Sequence, residues 1–87
     1  MEILKVASNS NPNSVAGAIA GALEQEGVVE VHAIGAGAVN QTVKAIAIVR
    51  RLVGRESGEA EIKVVPGFME LTIAGEEKTG IRFVIEK

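Results

Sequence analysis

Few side chains in this sequence suit chemistry, and their spacing decides which kinds can be set aside. His32 is the only histidine, and Glu30 lies two residues before it in a segment whose alternation puts both on one strand face. A Ser-His nucleophile or a metal site needs partner residues, and one histidine among scattered glutamates is poor material for either. The pair reads as part of a sheet surface or an interface. Gly35-Ala36-Gly37, between a strand-like and a helix-like stretch, matches the first part of a dinucleotide-binding fingerprint. Asn40 stands where its third glycine belongs, and no acidic residue ends a following strand to hold a ribose. Glycines that permit a tight turn explain the pattern, so no cofactor and no metal is expected. The residue types argue against an enzyme.

What remains suits contact with an anion. Ser10, Asn11 and Asn13 belong to a polar run, Ser8 to Ser14. Gly35, Gly37, Asn40 and Gln41 surround the start of a helix, where free N–H groups attract phosphate. Lys44, Arg51 and Arg55 share a narrow sector of that helix with Asn40. The same three cations are also what a plain solvated helix face would carry. The whole chain has nine Lys and Arg against eleven acidic residues, all glutamate, for a net charge of −2. Affinity driven by phosphate neutralisation usually needs a basic protein, so a dedicated non-specific nucleic-acid binder is disfavoured.

These groups must be positioned by a small core. Eighty-seven residues make one domain, and without cysteine no disulfide can staple it. Only Phe68 and Phe83 are aromatic, so Val, Ile, Leu and Ala must fill the interior. A core so modest favours burial of further surface by self-association. Met1 to Val6 carries Glu2 and Lys5 and does not resemble a signal peptide. The longest apolar run, Ala45 to Val49, is too short to span a bilayer. A cytoplasmic protein without a membrane partner is expected.

Strand-like alternation over Ile3–Ala7 leads to Asn11 and Pro12, a good N-cap followed by a residue suited to the first helical turn. A helix then runs to about Glu26, with Val15, Ile19, Ala22 and Leu23 inward and Gly27 ending it. Gly17 and Gly21 lie opposite, marking either the approach of another backbone or a tolerated weakness. Val28–Ile34 reads as a second strand, with Val29, Val31 and Ala33 on one side. The second helix, about Ala38 to Val53, carries an apolar face of Val39, Val43, Ile46, Val49 and Val53, widened by Ala45 and Leu52. Ile48 lies outside that face, where a lone subunit would expose it.

Glu61–Val65 reads as a third strand, broken or bent at Pro66-Gly67 and resumed from Phe68 to Ile73. Ala74 to Gly80 turns, and Ile81–Glu86 returns. The order β-α-β-α-β-β predicts an α+β, two-layer sandwich: a four-stranded mixed sheet with two helices on one face. Its other face would collect Lys5, Glu30, His32, Glu61, Lys63, Arg82 and Glu86. Ile48, Leu52 and Phe68 are the expected oligomer contacts.

Two stretches, Val6 to Ala18 and Ala33 to Gln41, closely resemble the bacterial stage V sporulation protein S family, and the likeness extends over essentially the whole chain. The resemblance implies an Alba-like fold, association with the control of sporulation, assembly into dimers or tetramers, and a role in binding DNA or RNA. Alba-type proteins bind through the loop before the first helix, the turn before the second, and the second helix's start. The matching positions are Ser10 and Asn11, Gly35 and Gly37, and Gln41. None is basic, so contact there would run through polar side chains and backbone N–H groups. The family's hairpin arm would end in Glu76, Glu77 and Lys78. A nucleic-acid-binding oligomer is the leading expectation. The alternative is a module that regulates through a protein partner, suggested by the near-neutral charge and the wide apolar arc of the second helix.

Overall fold

The computed structural model describes residues 1–87. Strand β1 (Glu2–Val6) leads to helix α1 (Pro12–Glu26), β2 (Val28–Ala33) and helix α2 (Ala36–Gly54). A short 3-10 turn, Arg55–Ser57, precedes β3 (Lys63–Ile73) and β4 (Glu76–Glu86). The sheet order is β1-β2-β4-β3, with β1 and β2 parallel and the other pairs antiparallel. This is the mixed α+β sandwich that the pattern of elements predicts.

The first helix forms where its capping chemistry places it. The Asn11 side-chain oxygen accepts from the N–H groups of Asn13 (2.8 Å) and Ser14 (3.4 Å), which have no partner inside the helix. Pro12 follows as the first helical residue. At the other end the Gly27 N–H donates to the Leu23 carbonyl at 2.8 Å. Ala16, Ile19, Ala22 and Leu23 are buried against Val29, Val31 and Ala33 of β2 and Phe83 and Ile85 of β4. The alternate residues Glu30 and His32 lie on the sheet's other face, which the helices leave open.

The second helix is turned from its expected setting. Its buried line is Ala38, Thr42, Ala45 and Val49, spaced four, three and four residues apart. Val43 is 53% exposed. Thr42 tolerates complete burial because its hydroxyl donates to the Ala38 carbonyl at 2.9 Å, so no polar group is left unpaired. Val39, Ile46 and Val53 pack along one flank of that line. Ile48 also packs against the core and is half-buried within the single chain, contrary to its expected exposure.

Two more expectations are corrected in the hairpin. Strand β3 runs through Pro66 without a break, because it is an edge strand and proline's missing N–H need not serve a ladder on both sides. The turn is only Ala74-Gly75, not the whole of Ala74 to Gly80. Both residues have positive φ (52° and 80°), the pattern of a tight two-residue hairpin turn. The strands are consequently eleven residues each. Since β4 pairs with β2 only from Ile81 to Glu86, the far half of the hairpin projects as an arm. The molecule measures 47 × 23 × 16 Å.

The open sheet face is also less polar than expected. Ile3 and Val65 are exposed there in a cross-strand row with Glu30 and Val84. No helix is long and apolar enough to cross a membrane.

Candidate functional site

The loop after β1 and the start of α2 meet directly. The Gln41 Nε2 amide donates to the Ser10 carbonyl at 2.8 Å. A Cβ placed on Gly37 would lie 2.8 Å from the Ser8 Cβ, so only glycine lets the two segments touch. The loop is closed on itself as well. Ser10 Oγ accepts from the Ala7 N–H at 2.9 Å, and the Ser10 N–H donates to the Ala7 carbonyl at 3.1 Å.

Much of the polar chemistry expected for ligand contact is therefore used to build this joint. Asn11 Oδ1 caps α1, and the Ser10 carbonyl holds Gln41. The Asn11 NH2 group and the Gln41 amide oxygen stay uncommitted. Gly35, at φ 92° and ψ 154°, has a backbone setting other residues avoid, and it gives α2 no side-chain cap. The first N–H groups of α2 thus carry the positive end of a 19-residue helix without a side-chain acceptor. Asn13 and Asn40 are exposed nearby in sequence, and Lys44 lies one turn beyond Asn40 on α2.

The expected basic set does not gather at one place. Lys44 and Arg51 are exposed and make no ion pair in the chain, separated by roughly 10 Å of helix rise. Arg55 follows the last turn of α2, roughly 28 Å from its start, and pairs with Glu24 at 3.1 Å. It borders a groove whose other charges are Glu24, Glu56 and Lys87, with no net positive charge. Arg55 is thus remote from the loop joint.

Arg50 lies outside the expected functional set, and its role is structural. Its Nε donates to the Ala60 carbonyl at 2.9 Å, while its own carbonyl accepts from the Ala60 N–H at 2.8 Å. That reciprocal pair ties the chain leaving α2 back onto the helix. In the sequence, Arg50 and Arg51 differ only by helical phase, which is what separates the clamp from the free cation.

Of the expected contact residues for a second subunit, Ile48 is half-buried and packs against its own core. Leu52 is 45% exposed and Phe68 is 80% exposed. Phe68 stands opposite Ile81 on the hairpin, beside Pro66 and Gly67. No three His, Cys, Asp or Glu side chains gather to hold a metal ion.

The family model described as Stage V sporulation protein S (SpoVS) matches residues 2–87. The chain belongs to that family. Both stretches that meet at the joint fall inside the matched region. Alba from Thermoplasma volcanium is similar in structure, with a TM-score of 0.65 over 98% of this chain and 99% of that chain. Sequence identity between the two is 12%, so the likeness establishes an Alba-like fold and nothing about function.

Proposed function

We propose that this member of the Stage V sporulation protein S family is a non-enzymatic regulator that contacts nucleic acid as an oligomer. The observation that carries the reading is the joint between the Ser8–Asn11 loop and the uncapped start of α2. It presents amide groups and helix N–H donors in one place, with Lys44 on the following turns. Such a surface suits phosphate and sugar oxygens, which need donors more than they need base-reading side chains. The likeness to Alba supports the same reading only as analogy of fold.

Few cations take part, so the affinity is modest and falls steeply with salt. Titration of labelled RNA and DNA at low and moderate salt tests this. Saturable binding in low salt supports the reading, and its absence at micromolar protein removes the nucleic-acid part.

A second reading rests on a different observation. Val43, Leu52 and Phe68 are large, apolar and exposed. Standing singly, such side chains are ordinary on a protein surface, so this reading requires that one protein, either a second copy or a regulatory partner, covers them. Val43→Glu and Phe68→Glu discriminate these cases better than Ile48→Glu, which would also disturb the chain's own core.

A further inference from the structure

On the sheet face away from the helices, residues of the arm and of the ends of β1 and β2 line a half-open cavity of about 320 Å³. Lys5, Val6, His32 and Ile34 line it from the sheet, and Leu71, Thr72 and Ile73 line it from the arm. Pairing accounts for much of this grouping. Lys5 stands opposite His32, His32 opposite Arg82, and Arg82 opposite Gly67, so these residues share one face. Alternation from Gly67 brings Leu71 and Ile73 to that face too.

The charges there are unevenly matched. Lys5 and Arg82 make no ion pair in the chain. Glu30 is engaged by His32 Nε2 at 2.5 Å, and Glu76, opposite Ile73, is engaged by Lys78 at 3.2 Å. The cavity therefore has aliphatic walls and one unpaired ammonium group, with a second cation further along the same row.

We propose that this cavity binds a small amphiphilic carboxylate. The acid group pairs with Lys5, and an aliphatic body lies against Ile34, Leu71 and Ile73. At about 30 Å³ for each water-sized group, the space admits up to about ten such groups, room enough for a medium-chain acid. A single lining lysine matches one negative charge. A phosphate, with more charge and more acceptor positions, would find too few donors. Because the far half of the arm is held only by its own ladder, an occupant bridging Lys5 and Ile73 fastens the arm to the sheet.

The test is amide NMR of the full chain titrated with millimolar octanoate, with acetate and 1-octanol as the tail-less and charge-less controls. Saturable shifts at Lys5, His32, Ile34 and Leu71–Ile73, weaker with either control, are expected. Lys5→Gln should weaken octanoate binding about fivefold, the scale of a solvent-accessible charge contact, and Lys5→Arg should retain it. Lys5 is exposed, so neither change threatens the fold. Absent or scattered shifts, equal affinity for 1-octanol, or unchanged binding by Lys5→Gln would each overturn the proposal.

Discussion

Gln41 and Ser10, 31 residues apart, are joined by a 2.8 Å hydrogen bond from the Gln41 amide to the Ser10 carbonyl. This contact connects the loop leading into α1 with the second turn of α2. Gln41→Ala is expected to lower stability by about 1 kcal/mol, the net value of one such bond. Gly37→Ala should cost more, about 1–3 kcal/mol, because its methyl would overlap Ser8. Chemical denaturation of both variants checks the order. Equal stability of Gly37→Ala and the parent would mean that the loop yields without strain.

Asn11 is expected to act mainly as a cap. Asn11→Ala should destabilise the fold by about 1 kcal/mol, whereas Asn11→Asp keeps the acceptor and suits the helix's positive end. Thermal unfolding should therefore separate alanine from aspartate. If aspartate unfolds as early as alanine, the side-chain oxygen is not what holds the first turn.

The hairpin turn offers a stabilising change. Ala74 has φ 52°, a left-handed setting that costs an ordinary residue roughly 1–2 kcal/mol. Ala74→Gly or Ala74→Asn should raise the unfolding free energy by up to about 1 kcal/mol, since both residues accept that setting. A denaturant midpoint that does not rise for either variant would count against the two-residue turn.

Phe68→Glu and Val43→Glu are expected to leave the folded subunit within about 0.5 kcal/mol of the parent, because neither side chain is buried in the single chain. If those side chains lie between copies, light scattering will report a smaller particle. Unchanged mass for both variants would place self-association elsewhere.

The extent to which this molecule could be read from residues alone varies from element to element. Asn11, Pro12 and Gly27 mark the limits of α1 because capping is local chemistry. The phase of α2 is less legible, since apolar residues occupy a wide arc of it and the buried Thr42 is a polar residue. Its burial depends on the Ala38 carbonyl, a partner that only helical geometry supplies. Pro66 suggested a break because its cost depends on whether a strand is central or at an edge, which is settled by sheet order. At the candidate site, the polar character of Ser10, Asn11 and Gln41 was evident. Their use for one another was not, because it required two loops distant in sequence to meet. Likewise the helical spacing of Arg55 extends the basic sector, but its Glu24 partner comes from the other helix.

Anisotropy titration of labelled single-stranded RNA and duplex DNA, at low and moderate salt, tests the nucleic-acid contact most directly. The parent protein should bind saturably in low salt and lose affinity as salt rises. On duplex DNA, Lys44→Gln with Arg51→Gln should flatten the log–log salt slope by about 0.9 for each phosphate contact removed. No saturable binding to either nucleic acid at micromolar protein in low salt would contradict the proposed role, and an unchanged slope would remove Lys44 and Arg51 from the contact.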